Sequence, residues 1–277
     1  MKTVDRGIGF IGAGQMAGAL ASGFVAARLV EPNRIWASDP NEAARGRFAT
    51  AVPGAQVTAD NREVAAAVNC FFLAVKPQQL AVVLEDLKPV TRAGHLVISI
   101  CAGVPLARIA AALAEGVRLV RVMPNTPCLV GQSASGYCLG AGTTAADQQL
   151  VDRLLSAVGR AMLLPESLLD AVTGLAGSGP AFVYLIIEAL SDGGVLMGLP
   201  RDVATALAVQ TVRGSAEMVR QTGDHPAALK DRVTSPGGTT ITGLKALEEG
   251  GARAAVIAAV QAATRRSIEL GEQFRKG

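Results

Sequence analysis

The 277-residue chain has only two histidines, His95 and His225, and four cysteines, Cys70, Cys101, Cys128 and Cys138, none of them in a C-x-x-C pair. That set offers no zinc constellation, and no metal is expected. Cys70 and Cys101 sit in apolar strand-like runs, so the thiols read as reduced and the compartment as cytoplasmic. Charge is scarce as well. Charged residues make up 18% of the chain, 26 basic against 23 acidic, with no block of like sign. Nucleic acid or an anionic membrane would demand a basic stripe, so neither is expected as a partner. There is no Ser-His-Asp set, no obvious pair of catalytic carboxylates, no internal repeat and no low-complexity tail. A reaction carried by this chain therefore needs little side-chain acid or base.

Apolar residues are abundant, at 50%. So large a share points to apolar surface buried between subunits. Two uncharged segments imitate membrane signals. Gly7 to Ala27 follows Lys2 and Arg6 as in a signal peptide, but its glycines and its strand-turn-helix pattern argue against one. Val122 to Ala146 is interrupted by proline, Asn125, Gln132 and many small residues, which rules out a spanning helix.

The first half alternates strand-like and helix-like runs. Strands are expected at Gly7–Gly12, Arg34–Ser38, Asn69–Val75, His95–Ile100 and Val117–Val122, with Ala-rich helices between them. Ala17, Leu20, Ala21, Phe24 and Val25 form the i, i+3, i+4 stripe of the first helix. This alternation implies an α/β, doubly wound, mainly parallel sheet. Ser133–Leu139 and Ala161–Leu164 read as further edge strands around a helix at Thr144–Val158. After Pro165 only helical periods remain, at about 166–174, 180–198, 201–222, 226–233, 239–249 and 252–275. The expected division is a dinucleotide-binding domain over 1–164 and an all-α domain over 165–277. The helix at 180–198 carries only Glu188 and Asp192 as charges and should be buried nearly all round. The last helix spaces Val256, Val260, Ala263, Ser267, Leu270 and Phe274 as a seam, either for a partner helix or for its own domain.

The chemistry starts at Gly9-Phe10-Ile11-Gly12-Ala13-Gly14-Gln15-Met16-Ala17, an apolar run delivering into G-x-G-x-x-A. Gly12 permits the tight turn, Gly14 lets a pyrophosphate approach the backbone, and Ala17 lets the helix pack on the strand. Asp39 ends the second strand, where an acidic residue takes a ribose 2′-hydroxyl; capping the next helix is its alternative role. Arg45 and Arg47 lie in that next helix, within range of a 2′-phosphate. Ala74-Val75-Lys76-Pro77 follows a strand end, and Lys76 pairs with cofactor phosphate or is a solvated turn. Met123-Pro124-Asn125-Thr126-Pro127 is a stiff loop beside the nicotinamide or a rigid connection. Gly177-Ser178-Gly179-Pro180 opens the long apolar helix. Ser235-Pro236-Gly237-Gly238-Thr239-Thr240 runs a Gly-rich turn into a helix N-terminus, which suits a second anion such as a substrate carboxylate; an ordinary capped turn is the alternative.

Taken together these residues resemble the pyrroline-5-carboxylate reductase family nearly end to end. The most specific stretch is His225-Pro226-Ala227-Ala228-Leu229-Lys230-Asp231 followed by Ser235 to Thr240. The resemblance implies an N-terminal Rossmann domain and a C-terminal helical domain that interleaves with a second copy, in dimers often assembled into decamers. It implies cofactor contacts at Ile11, Gly12, Ala13, Gly14, Gln15 and Met16, at Asp39, Asn41 and Asn61, at Ala74, Val75, Lys76 and Pro77, and at Ile100, Cys101 and Ala102. It implies substrate contacts at Glu166, Arg232, Thr239 and Thr240, next to the turn residues Ser235, Gly237 and Gly238. The expected reaction is hydride transfer from NADPH, or from NADH, to the imine carbon of 1-pyrroline-5-carboxylate, giving L-proline. Thr240 is the expected catalytic residue, through a hydrogen bond to the ring nitrogen. Family members often carry Ser or Thr near Asp39. A carboxylate there repels a 2′-phosphate and opens the way to NADH. A 3-hydroxyacid dehydrogenase would need a lysine on the long helix, and Pro180 to Met197 contains none. A non-catalytic dinucleotide-binding scaffold would have no need of the Ser235–Thr240 turn.

Overall fold

The computed structural model describes residues 7–273. Lys2, Arg6 and Phe274 lie outside the described residues. Eight strands form one sheet: β1 (Ile8–Ile11), β2 (Ile35–Ser38), β3 (Gln56–Thr58), β4 (Cys70–Leu73), β5 (Leu96–Ser99), β6 (Arg118–Met123), β7 (Ser133–Leu139) and β8 (Gly159–Leu163). Their order is β3-β2-β1-β4-β5-β6-β7-β8. Only the β6–β7 pair is antiparallel. Reversal of the winding direction beside β1 places a crevice at the carboxyl ends of β1 and β4, where open α/β sheets take ligands.

The alternation within each strand decides the two faces. Ile8, Phe10, Cys70 and Phe72 point to one side, while Ile11, Phe71 and Leu73 point to the other. The first side is covered by α1 (Gln15–Ala26), α2 (Glu42–Ala51) and α6 (Ala145–Ser156). Its centre is aromatic: the Phe10 and Phe72 rings stack with centroids 5.0 Å apart, and Phe24 lies 5.7 Å from Phe72. The second side is covered by α3 (Asn61–Ala67), α4 (Leu80–Leu87), α5 (Leu106–Ala112) and α7 (Leu169–Val172). Here α3 presses onto β1 at Gly9, where a Cβ would lie 2.6 Å from a methyl of Val64. Buried on both faces, such strands read as near-continuous apolar runs.

The remaining helices are α8 (Gly179–Leu196), α9 (Arg201–Thr222), α10 (Pro226–Arg232), α11 (Thr239–Glu249) and α12 (Ala252–Gln273). By packing, the chain divides into two compact units. One runs through Ser178 and resumes at Ala262; the other is Gly179–Gln261. Residues 165–178, assigned from sequence to the helical domain, thus pack with the sheet, as does the C-terminal half of α12. That half is held by Ser267, whose hydroxyl donates to Asp170 at 2.7 Å, and by Gly271, where a Cβ would lie 2.8 Å from the Gly103 carbonyl oxygen.

Four expectations need correction. The strand β3 was absent from the sequence reading, because Gln56–Thr58 is three residues of largely exposed, unpatterned chain. Ser133–Leu139 is not an edge, since β8 pairs alongside it. The expected helix at 166–174 is a 3-10 turn (Glu166–Leu168), then α7, then a π-turn at Thr173–Gly177 closed by the Ser178 amide donating to the Thr173 carbonyl at 2.9 Å. Finally, α8 is not buried all round: within the single chain Ser191 is its only buried residue, and Val183, Tyr184, Leu185, Ile186 and Leu190 are exposed. By length and composition alone the stretch Glu166–Leu196 is apolar enough to cross a membrane. An apolar helix with so little cover from its own chain is the signature of a surface that another body covers.

Candidate active site

In the first unit, the residues expected to hold a cofactor converge at the carboxyl ends of four parallel strands. Gly12 follows β1 with φ of +100°, and a Cβ there would lie 2.7 Å from the Ala74 carbonyl oxygen. Only glycine makes this turn without strain. Its amide donates to the Ser38 carbonyl at 2.8 Å, and Ala74 donates back to Ile11 at 2.8 Å, so β1, β2 and β4 end in one stitched platform. Gly14 is the N-cap of α1 and supplies no side-chain acceptor, and the first turn contains no acidic residue. A Cβ at Gly14 would meet nothing within 4 Å. Uncapped amides, the positive end of the helix and open space above them fit a pyrophosphate.

Asp39 is not the N-cap of α2. That role belongs to Asn41, whose side chain accepts from the Ala44 amide at 3.2 Å. The Asp39 carboxylate instead accepts from the Ala13 amide at 3.1 Å and from the Asn41 amide at 2.9 Å. Arg45 donates to the Asp39 and Pro40 carbonyls at 2.7 and 3.1 Å, so its guanidinium already braces the backbone of this loop. Asn61 accepts from the buried Ser38 hydroxyl at 2.8 Å and donates to Asp86 at 3.3 Å. Lys76 is exposed at the start of a 3-10 turn, with Pro77 behind it. Ile100 is tied to β4 through its amide on the Leu73 carbonyl at 3.0 Å. The Cys101 thiol is buried between the carbonyls of Leu73 and Val75, 3.5 and 3.3 Å away. Burial pushes it up to about 11, so it stays a protonated donor that knits the strand ends rather than a nucleophile.

In the second unit, the Ser235–Thr240 turn has Gly237 at φ of +66°, and Gly238 as the N-cap of α11. Gly238 supplies no capping side chain, and the first turn of α11 has no acid. A Cβ at Gly238 would overlap the Ser235 hydroxyl. Thr239 is exposed and Thr240 half-buried. This is a second helix start that fits an anion. Arg232, at the end of α10, pairs with Asp224 at 2.6 Å.

Glu166 belongs to the first unit, apart from the other expected substrate residues. Its carboxylate accepts from the Leu106 amide at 2.8 Å and from Arg121 at 3.2 Å. Arg121 is 7% exposed and also faces Asp170 at 3.7 Å. Sequence reasoning passed over Arg121, although a cation flanked by Val120 and Val122 in the apolar run of β6 is a signal for buried partners. It also passed over the Asn125 side chain inside the proline-flanked loop.

Comparisons with known proteins agree with this geometry. The family model described as pyrroline-5-carboxylate reductase dimerisation matches residues 166–270. A second, described as NADP oxidoreductase coenzyme F420-dependent, matches residues 7–103. A pyrroline-5-carboxylate reductase of Methanosarcina acetivorans is 50% identical over 97% of this chain and 99% of its own. One from Glycine max is 47% identical over 95% of each chain. The chain belongs to the pyrroline-5-carboxylate reductase family. Among solved structures, a Plasmodium falciparum pyrroline carboxylate reductase with NADP bound superposes with a TM-score of 0.89 at 34% identity, covering 98% of this chain and 100% of that one. The exposed apolar face of α8 falls inside the matched dimerisation region.

Proposed function

We propose that the two uncapped helix starts divide the work of an imine reductase: α1 takes the dinucleotide and α11 takes the carboxylate of 1-pyrroline-5-carboxylate. The activity is that of the family, reduction of a C=N bond to give L-proline with NAD(P)H. When bound, the reduced nicotinamide supplies the hydride. The chain supplies the rest. Amides of Gly12 to Met16 receive the pyrophosphate, Asp39, Asn41 and Asn61 receive the adenosine ribose, and Ala74 to Pro77 with Ile100 to Ala102 line the approach to the nicotinamide. Gly237, Gly238 and Thr239 with Ser235 and Arg232 hold the substrate carboxylate. Thr240 hydrogen-bonds the ring nitrogen and favours the protonated imine, which is already a strong electrophile. Glu166, the remaining substrate contact that the family resemblance implies, is held in the first unit by the Leu106 amide and Arg121. A protonated imine needs mainly proximity and orientation, worth several kcal/mol of barrier, which agrees with the absence of a catalytic dyad in the sequence.

The observation that carries this reading is the N-cap Gly238 without a side-chain acceptor, directly before Thr239 and Thr240. NADPH is the family's usual reductant. Asp39 supports use of NADH alongside it. The division proposed at residue 164 lies beside the start of the dimerisation match at residue 166, while by packing the sheet unit continues through Ser178. Dimers, with decamers as the higher assembly, and a cytoplasmic location complete the proposal; four free cysteines suit a reducing compartment. No membrane or nucleic-acid partner is required. The experiment is to follow NADPH and NADH oxidation with pyrroline-5-carboxylate. Absence of turnover with both cofactors overturns the reading.

A further inference from the structure

The π-turn at Thr173–Gly177 stands where the first unit ends and α8 begins. Turns of this kind are rare, and in helices they mark functional positions. This one is fastened. Asn125, 7% exposed, donates from Nδ2 to the Ala176 carbonyl at 3.0 Å. Its Oδ1 accepts from the Ser133 hydroxyl at 3.1 Å and from the Ala134 amide at 3.0 Å. These partners leave no freedom in the amide's orientation, because a backbone N–H only donates and a carbonyl only accepts. Ser133 is itself braced by Ser135 at 3.0 Å, and both are buried. The π-turn also presses on the end of β6: a Cβ at Gly177 would lie 2.6 Å from the Met123 methyl. Asn125 is held in turn between Pro124 and Pro127, on the loop leaving β6. That strand pairs with β5, whose carboxyl end carries Ile100 to Ala102.

We propose that Asn125 is a positioning residue for hydride transfer: its carboxamide bolts the π-turn to the end of the sheet and so fixes the strand ends, beside Ile100 to Ala102, that line the approach to the nicotinamide. This rests on the functional reading above. The bolt touches neither cofactor nor substrate residues, so its loss should change the approach of the two reactants and leave cofactor affinity intact.

Asn125→Asp separates the parts. A carboxylate still accepts from Ser133 and Ala134, but it cannot donate to Ala176 and repels its carbonyl. Single-turnover reduction of pyrroline-5-carboxylate should slow at least tenfold, and the isotope effect with NADPH deuterated at the transferred position should rise. The Kd for NADPH, read by fluorescence, should stay within twofold, with the far-ultraviolet spectrum unchanged. An unchanged single-turnover rate in the folded variant overturns the proposal, as does a loss of rate matched by loss of cofactor affinity. If Asn125→Asp does not fold, Ser133→Ala carries the same test, because it removes one of the two bonds that hold the amide; slower transfer at unchanged Kd supports the bolt and an unchanged rate overturns it. Wild-type protein with no turnover would instead overturn the functional reading itself.

Discussion

Asp39 accepts a hydrogen bond from the Ala13 amide at 3.1 Å, so the carboxylate that ends β2 is tied to the loop that ends β1. One side chain therefore ties the two loops together, and in the proposed site the same carboxylate faces the adenosine ribose. Replacing Asp39 with Ser should raise the ratio of kcat/KM for NADPH over NADH by about tenfold or more, equal to ~1.4 kcal/mol of relieved repulsion. Steady-state kinetics with both cofactors on both proteins checks this, and an unchanged ratio removes Asp39 from cofactor choice.

Thr240 follows the uncapped start of α11. Thr240→Ala should lower kcat/KM for the imine roughly tenfold, about one hydrogen bond's worth, while Thr240→Ser retains most of it. Equal kinetics for wild type and the alanine variant would deny Thr240 its role.

Leu185 is exposed in the middle of α8. An acidic residue there, Leu185→Glu, should weaken self-association at least tenfold by placing a charge in a dry contact. Sedimentation across a dilution series reads the change. A variant that associates as the wild type does would show that another face carries the contact.

How much of this was legible beforehand depended on whether local pattern or distant partners did the deciding. The sheet strands on either side of Gly12 were legible because burial on both faces leaves unbroken apolar runs. The loops that follow β1, β2, β4 and β5 were legible because strand ends locate them. Asp39's grip on Ala13 was not, because the partner lies on another strand end and sequence spacing carries no such geometry. The apolar character of α8 was plain, but residue type alone cannot tell cover from the same chain from cover by a second one. The π-turn has no sequence period at all. It shows only in the bond from the Ser178 amide to the Thr173 carbonyl, which spans five residues.

His95 is fully buried, with Nδ1 accepting from the Arg92 amide at 3.2 Å and its ring edge-on to Phe71. Burial, aided by the Arg92 charge, lowers its pKa from 6.5. The unfolded chain then binds the proton that the folded one refuses. Stability is complete above the unfolded value and falls as pH drops from ~6.5 through the lowered folded one, by at most ~1.4 kcal/mol per pH unit. His95→Asn keeps an acceptor for Arg92 and removes the titration. Its loss of thermal stability between about pH 6.5 and 5 should be shallower than that of the wild type.

Arg28 ends α1 at φ of +57°, the one non-glycine residue with positive φ among the described residues. Its amide bonds to Val25 and that of Leu29 to Phe24, the paired closure that usually employs glycine. Arg28→Gly should stabilise the protein by about 0.5–1 kcal/mol, a rise of about 2 °C in Tm. A fall in Tm would mean that the arginine side chain contributes more than its backbone costs.

The return of α12 to the sheet has a consequence for how separable the parts are. Arg121 lies in β6, yet both carboxylates facing it, Glu166 and Asp170, come after residue 164, and the hydroxyl on Asp170 comes from Ser267. A fragment ending at residue 164 would keep the buried guanidinium and lose every one of those partners, a change that costs about 3–5 kcal/mol for a broken buried pair. The nucleotide-binding sheet is therefore not a portable module. Grafted elsewhere, it would have to bring the end of the chain along with it.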